Sequence, residues 1–473
     1  MKSIISKIPH TPSWQLSAVP LLVLAGTLVL IIVTLGPLAV SDYSPWALLG
    51  ASAVAFVLAV WRGCLSRRSV IVGFKRGASQ LYPTVPMLLC IGALATTWML
   101  SGVVPTMVDY GLLLLDPAWF LVATCVVCSV VSVLTGSSWS TIATIGVAFI
   151  GIGSAMGYDL GWTAGAIISG AYFGDKVSPL SDTTVIASQT CGVDLFRHIK
   201  YMTITTTPAM LLALLVFGIK GIETGGAPIE GSIDMINGLN EVFNITPWAL
   251  LIPAITLTLI GLKVPTIWVL FVSAIMGGVG VFVLQPQLAF SLGEVLSRTF
   301  MGNEMPIDDS TVAQLVSTGG VLGMFNVVFL VVAAMVFGSI MVGSGMLGSV
   351  ASALTARLKR PVSIVASTLT TGFSLNGITA DQYMSIIITG NVYRNIYRRN
   401  QMEARLLSRS LEDGVSVTSP LIPWSSCGVT QSTVLGVPTL TYLPYCLFNY
   451  LTPIVSLIVI STGYKIRQAV VRA

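Results

Sequence analysis

The sequence predicts an all-α polytopic membrane protein with two inverted-topology repeats, each containing a helical hairpin and a broken helix. Only 9% of its 473 residues are charged and 54% are apolar, whereas soluble domains average about 25% charged residues. The apolar residues form successive runs close to the ~20 residues that a helix needs to cross a bilayer. Similar motifs also recur in the same order in both halves of the chain. A soluble protein with one hydrophobic core is therefore excluded.

The first half is predicted to contain spans, a hairpin and a broken helix. These elements are spans at 16–40, 45–61 and 81–101, a short segment at 104–115, hairpin arms at 117–134 and 142–157 around the polar tip 135–141, a broken helix at 162–187, and a span that ends near 217. Glycine and proline inside the broken helix disfavour a continuous helix there.

The second half is predicted to follow the same plan after a polar, acidic linker. Its elements are the linker 222–244, spans at 247–262, 264–284 and 321–342, hairpin arms at 361–373 and 383–393 around the polar tip 374–382, a basic loop at 394–409, a broken segment at 410–436, and a last span at 442–460. The chain is thereby divided into a first repeat (1–221), an extracytoplasmic linker (222–246) and a second, inverted repeat (247–473).

Four pairs of short motifs support the repeat. They are Ser101-Gly102 with Ser344-Gly345, Thr135-Gly136 with Thr371-Gly372, Ser178-Pro179-Leu180 with Ser419-Pro420-Leu421, and Pro208 with Pro453. The offsets are 243, 236, 241 and 245 residues. Four matches in one order at nearly one spacing indicate an internal repeat.

The charges indicate that the second repeat is upside down. Residues 62–76 carry five basic residues and no acid, whereas residues 286–310 carry one arginine and four acids. Because basic loops stay on the cytoplasmic side, a reversal of sign between equivalent loops implies inversion. Each half must then cross an odd number of times, and both termini face the cytoplasm. The net charge of +5 is explained by these loops and not by a nucleic-acid-binding surface.

The stretch Gly170 to Ala187 holds the strongest candidates for chemistry. Asp175, Lys176 and Asp182 lie in it, inside an apolar tract, beside the helix breakers Gly174 and Pro179. Ionised groups at membrane depth are costly and usually functional. Carboxylates, hydroxyls and free carbonyls are oxygen ligands that suit a small hard cation. The simpler alternative is that Asp175 pairs with Lys176 and that Asp182 caps a helix.

Two related half-sites are expected, each made from a hairpin tip and a broken helix. The first would bind a metal cation through Ser137, Ser138, Thr141, Asp175, Ser178, Ser181, Asp182 and Thr183. The second, for substrate or ion, would use Asn376, Thr379, Asp381, Glu412, Asp413, Thr418 and Ser419. For any single serine or threonine the alternative is a hydrogen bond back to its own helix, and Glu412 and Asp413 could instead pair with the basic loop.

The runs Gly174-Asp175-Lys176 and Ser178 to Thr184 closely resemble the signature of the NhaC-type sodium/proton antiporter family, within the ion-transporter fold group. The resemblance extends over nearly the whole chain. It implies a transporter of the cytoplasmic (inner) membrane that exchanges Na+ for H+ by alternating access, without a cofactor, and it suggests a homodimer. Asp182, with Asp175, would hold either Na+ or a proton, and Lys176 would either neutralise part of the empty site or form a pair with Asp175 that breaks during turnover. The sequence leaves Li+ and K+ open.

Three other functions fit the sequence less well. A sodium- and proton-coupled organic-acid exchanger of the malate/lactate type is the main alternative, but no arginine is evident in the predicted spans to bind a carboxylate. An intramembrane hydrolase is disfavoured because Ser344 lacks the G-x-S-x-G context and the chain has only two histidines. A passive channel fits poorly with paired broken helices, which are typical of secondary transporters.

Overall fold

The computed structural model describes residues 12–36, 39–65, 67–224, 237–262, 264–304, 313, 316–355 and 360–463. Within these residues the chain is helical, with a single isolated β-bridge between Asn303 and Thr318 and no other strand pairing. Seven of the described helices are long and apolar enough to cross a membrane, or nine if each bent pair is counted as one span. The prediction of an all-α polytopic membrane protein is therefore confirmed.

Nine helices make up the first half. They are α1 (Trp14–Leu35), α2 (Val40–Trp61), α3 (Arg67–Leu100), α4 (Val103–Leu114), α5 (Phe120–Thr135), α6 (Ser138–Ala155), α7 (Leu160–Val177), α8 (Asp182–Cys191) and α9 (Leu195–Thr224). The axis bends by 66° between α3 and α4, where Gly102 adopts φ +76°. The predicted hairpin is α5 with α6, and the predicted broken helix is α7 with α8.

The described part of the second half contains ten longer helices and a short helical segment, Thr439–Tyr445, that meets the last of them at 51°. The ten longer helices are α10 (Pro247–Gly261), α11 (Thr266–Leu284), α12 (Leu292–Met301), α13 (Gly320–Gly343), α14 (Met346–Thr355), α15 (Pro361–Thr379), α16 (Gln382–Arg399), α17 (Ala404–Leu411), α18 (Ser426–Leu435) and α19 (Leu447–Ser461). A π-helical turn at Glu412–Ser416 and a 3-10 turn at Ser419–Leu421 follow α17. They form the break before α18.

Burial separates helices that face lipid from helices that form the interior. In α1 only 22% of the span is buried, and large side chains such as Leu22 and Val33 are exposed along it. In α6 the buried share is 89%. The hairpin arm α6 is thus enclosed by protein, as expected if polar and irregular backbone at membrane depth must be shielded from lipid.

Three predicted boundaries are wrong. The second hairpin tip is not 374–382, because α15 continues to Thr379 and leaves only Ala380 and Asp381 between the arms. The basic stretches predicted as loops are largely helical, since α3 begins at Arg67 and α16 runs to Arg399. Most important, Arg409 lies on α17 and is 1% exposed, so it is not a loop residue.

The two hairpin tips share one hydrogen-bond pattern. Thr135 Oγ1 donates to Ser137 O at 3.1 Å, and Thr379 Oγ1 donates to Asp381 O at 2.9 Å. The residue between them is left-handed in both tips, with φ +67° at Gly136 and +49° at Ala380. The structural partner of Thr135-Gly136 is therefore Thr379-Ala380, at an offset of 244 residues, and the predicted match with Thr371-Gly372 is wrong. The corrected spacing agrees better with the offsets of 243 and 245 found elsewhere.

Close packing of α5 against α7 positions the first hairpin on the first broken helix. Gly170 and Gly174 bring the backbone of α7 onto α5, because a Cβ at either would collide with backbone atoms of Cys125 or Ser129. Ser178, just after α7, donates to Val133 O at 2.7 Å. The hairpin tip and the helix break are thereby held side by side.

Candidate functional site

The first tip and the first break bring Ser138, Asp175, Ser181 and Thr183 into one buried group, while the hydroxyl of the buried Ser178 donates to Val133 O of α5. Ser138 Oγ donates to Asp175 Oδ2 at 2.8 Å, which joins the start of α6 to the last turn of α7. Ser181 caps α8, and its hydroxyl lies 3.0 Å from that of Thr183. Ser138, Asp175, Ser178, Ser181 and Thr183 are all under 9% exposed. A buried carboxylate surrounded by hydroxyls is the donor set of a hard cation site.

The remaining predicted residues of this half-site lie at its margins. Ser137 is half-buried and caps α6. Thr141 is buried, and its hydroxyl donates back to Ser137 O at 3.0 Å, which is the back-bonding alternative. Asp182 is exposed in the first turn of α8. The structure therefore puts Asp175, and not Asp182, at the centre of the hydroxyl group.

Asp175 is not paired with Lys176. The Lys176 ammonium forms an ion pair with Asp413 of the second half, and both side chains are at most 1% exposed. The alternative of a local Asp175–Lys176 pair, and with it the idea that this pair breaks during turnover, is wrong. Asp175 and Lys176 contact different neighbours, because successive side chains on a helix point in directions about 100° apart.

At the second tip, Asp381 caps α16 by accepting a hydrogen bond from Met384 N at 2.7 Å. A cavity of about 30 Å³ lies beside it and is lined in part by Asp381, Thr379 and Ser339. This volume is close to that of one water molecule. The second tip thus presents a carboxylate and hydroxyls to a space that fits one small ion.

The other predicted residues of the second half-site form structural contacts. Asn376 donates to Val415 O at 3.0 Å and accepts from Ser419 Oγ at 3.5 Å. Thr418 donates back to Gly414 O at 2.8 Å. The two bonds of Asn376 fasten α15 to the irregular turns after α17, and the bond of Thr418 lies within those turns.

Glu412 and Asp413 lie in what we call the buried charge cluster, defined as Lys176, Arg409, Glu412 and Asp413. All four are at most 1% exposed. Asp413 pairs with Lys176, lies 3.7 Å from Arg409 Nε, and accepts from Thr205 of α9 at 3.3 and 3.4 Å. Both carboxyl oxygens of Glu412 are buried without a hydrogen-bond partner among the described residues. The cluster joins the broken helices of the two halves.

A cavity of about 180 Å³ reaches the first tip. It is lined by hydroxyl groups of the first hairpin, by Leu180 in the break, and by the turn between α10 and α11. The hydroxyl-bearing residues that line it are Thr135, Ser140, Thr144 and Thr266. A cavity therefore lies beside the first tip, on the side of the α10–α11 turn.

The donor chemistry suits an alkali cation. Within the described ranges, no group of three histidine, cysteine or acidic side chains converges as a transition-metal site would require. The cysteines of the C-x-x-C pair, Cys125 and Cys128, are buried in α5 as structural residues.

Comparison with known proteins assigns this architecture to a family. A family model described as "Na+/H+ antiporter family" matches residues 5–219 and 170–464. The chain belongs to the Na+/H+ antiporter family. The resemblance noted in the sequence is thereby confirmed, and the family membership identifies a multi-pass membrane transporter.

Three relatives within or beside this family illustrate its range. The chain is 34% identical to the Na+/H+ antiporter NhaC of Bacillus subtilis, over 83% of this chain and 86% of that protein. It is 34% identical to the malate-2H+/Na+-lactate antiporter of the same organism, over 79% and 80% of the two chains. It is 35% identical to the arginine/ornithine antiporter ArcD of Halobacterium salinarum, over 80% and 78%.

Sequence reasoning missed the aromatic and amide residues around Asp175. Tyr172, three residues before Asp175 on the same face of α7, accepts a hydrogen bond from Gln431 Nε2 of α18 at 2.8 Å. Tyr383, at the second tip, lies within electrostatic range of Asp175, Asp182 and Asp381. The three-residue spacing of Tyr172 was a usable signal, but the contributions of α16 and α18 could not be read from one sequence.

Proposed function

We propose that this antiporter-family chain exchanges Na+ for H+ across the cytoplasmic membrane by alternating access. The observation that carries the proposal is the buried carboxylate of Asp175, which accepts a hydrogen bond from Ser138 where a hairpin tip meets a helix break. The Ser181 hydroxyl interacts with the same carboxylate, and the Thr183 hydroxyl lies 3.0 Å from that of Ser181. Oxygen ligands from a tip and a break, at the depth of the membrane, favour a small hard cation over a larger solute.

The coupling follows from charge. An ionised carboxylate is costly at membrane depth unless a cation compensates it. Na+ and H+ each supply one positive charge, so a carrier that changes orientation only when its buried charge is compensated must exchange one ion for the other. This condition makes the carrier an antiporter and not a leak.

Alternating access would use the repeat. The matched tip geometry in α5–α6 and α15–α16 supports two equivalent half-sites, and the reversed charges of the equivalent loops support inversion. We assign residues 1–221 and 247–473 to the two repeats, with residues 222–246 as the extracytoplasmic linker. Both termini then lie in the cytoplasm of an inner-membrane protein.

A specific observation also favours a second candidate, an organic-acid exchanger. No arginine was evident in the predicted spans, but the structure buries Arg409 beside the helix break of the second half. However, Asp413 lies 3.7 Å from Arg409 Nε and already balances its charge. A carboxylate-bearing substrate would have to compete with that internal acid, which favours Na+/H+ exchange.

The test uses proteoliposomes that contain a pH-sensitive dye and are loaded to an acid interior. Addition of Na+ outside, with no organic solute present, is expected to alkalinise the interior, whereas choline should not. Li+ and K+ at the same concentration measure cation selectivity. If Na+ alone has no effect, but Na+ with malate and lactate on opposite sides moves protons, the organic-acid exchanger replaces the proposal.

A further inference from the structure

We propose that Glu412 carries the exchanged proton at a place separate from the Na+ ligands around Asp175. The inference rests on the proposed Na+/H+ exchange and specifies where its proton travels. The π turn Glu412–Ser416 holds this side chain at the contact between the two halves. Glu412 would couple the movement of Na+ to that of H+ through electrostatic interaction, without Na+ and H+ binding to the same carboxylate.

The first reason is that Glu412 is an acid without compensation. It is fully buried, and neither carboxyl oxygen is hydrogen-bonded within the part of the chain that the structure describes. Asp413, one residue later, has Lys176 and Thr205 as partners. A buried carboxyl group in this setting is stable only when neutral. This arrangement therefore favours the neutral form of Glu412, in which the carboxyl group holds a proton.

The second reason is the charge balance of the surrounding groups. Lys176 and Arg409 supply two positive charges, and Asp413 and Asp175 supply two negative ones. With Glu412 protonated and no Na+ bound, the group is neutral. Arrival of Na+ at Asp175 adds one positive charge, and loss of the Glu412 proton removes it. One Na+ can thus replace one proton without leaving uncompensated charge in the membrane.

The third reason is position. Glu412 lies within electrostatic range of both Lys176 and Asp175, so a cation at Asp175 lowers the free energy of ionising Glu412. Arg409, three residues earlier on the same helical stretch, has its Nε and Nη1 groups buried without hydrogen bonds to any described residue. These donors are available to an ionised Glu412, because residues three apart lie on one helix face.

Other titratable groups around the π turn do not explain a coupled proton equally well. The helices packed against the turn are α8, α15, α16, α17 and α19, and α15 has no titratable residue. The titratable residues on the other four helices are Asp182, Cys191, Tyr383, Tyr393, Arg394, Tyr397, Arg398, Arg399, Arg405, Arg409 and Tyr450, and His198 and Tyr201 face the cluster from α9. Tyr393 and Tyr397 bond to hydroxyls of α15, Asp182 is exposed, and His198 Nδ1 lies 2.8 Å from Ser408 Oγ.

The experiment compares wild type, Glu412→Gln and Ser416→Ala in proteoliposomes. Ser416 is the control because it ends the same π turn and lies within interaction range of Glu412, so that Ser416→Ala changes the same place without removing the carboxyl group. Two fluxes are measured, namely Na+-driven proton movement and exchange of labelled Na+ for unlabelled Na+. The apparent Na+ affinity is measured at several pH values.

In wild type and Ser416→Ala, acidification should weaken apparent Na+ affinity by up to about tenfold per pH unit, as expected for one competing proton. Glu412→Gln keeps a neutral side chain like that of the protonated acid, so bound Na+ leaves one positive charge uncompensated; the variant should bind Na+ more weakly, slow Na+/Na+ exchange, lose Na+-driven proton movement and lose the pH dependence of Na+ affinity. If Glu412→Gln keeps wild-type proton movement or pH dependence, Na+ and H+ compete at Asp175 itself and the inference is overturned.

Failure of the proposed function gives a different result, since wild type itself would then show no Na+-driven proton movement. If Glu412→Gln does not accumulate as a folded protein, Glu412→Asp decides the matter. If Na+/H+ exchange by Glu412→Asp shows a shifted pH dependence, Glu412 is supported as the proton carrier. If its pH dependence equals that of wild type, the inference is overturned.

Discussion

Replacement of Lys176 by methionine removes one partner of the buried ion pair that joins the two halves of the transporter. Lys176 and Asp413 are 1% and 0% exposed, and removal of one member of such a pair typically costs about 3–5 kcal/mol. Asp413 keeps Arg409 Nε at 3.7 Å, and that contact is worth about 4 kcal/mol at an effective dielectric constant of ~20. Because Arg409 still compensates the charge of Asp413, the free energy of unfolding should fall by about 3 kcal/mol, the lower limit of that range.

The free energy of unfolding in mixed detergent micelles, titrated with a denaturing detergent, measures this loss. Lys220→Met is the matched control, because Lys220 pairs with Glu223 at 3.3 Å while the two side chains are 33% and 63% exposed. An exposed pair contributes about 0–1 kcal/mol, so the control should stay within that range. A Lys176→Met protein as stable as the control would show that the buried pair is not a structural link between the halves.

Two further predictions concern the packing and the ligands of the first half-site. Gly174→Ala would place a Cβ 2.5 Å from the nearest side-chain carbon of α5. The resulting overpacking should cost about 1–3 kcal/mol of unfolding free energy, which exceeds the gain in helix propensity. Gly50→Ala is the control, because nothing lies within 4 Å of its Cβ, and it should not destabilise the protein in the same unfolding titration. Ser138→Ala removes the hydroxyl that donates to Asp175, and loss of a hydrogen bond to a charged group should raise the half-saturating Na+ concentration about 10–100-fold. Ser140→Ala, two residues along α6, should change it less than about threefold, and an equal effect of both serines would refute the ligand assignment.

The architecture and the first break could be predicted because their signals are local. Low charge, span-length apolar runs and the breakers Gly174 and Pro179 all lie within short windows of sequence, and α7 and α8 appear where they predict. The second tip was misplaced for a physical reason. Residues 374–379 are polar but stay helical, because Asn376 and Thr379 find partners in the turn after α17 and in Asp381.

The buried charge cluster could not be predicted, because its central ion pair joins residues 237 positions apart. Arg409 looked like part of a basic loop because four arginines precede it within fifteen residues. Its spacing of four residues from Asp413 is that of a helical ion pair, and this was the local signal available. Asp175 and Asp182 could not be ranked from sequence, since their different exposure results from how α6 covers the end of α7.

Binding of radiolabelled Na+ to the purified transporter tests the central claim, that Asp175 holds the transported ion. Wild type, Asp175→Asn and Asp182→Asn would be compared in a scintillation proximity assay at one alkaline pH. Loss of a charged ligand should weaken binding by more than about tenfold in Asp175→Asn, whereas the exposed Asp182→Asn should bind within about threefold of wild type. Unchanged binding by Asp175→Asn, or loss of binding only in Asp182→Asn, would contradict the account.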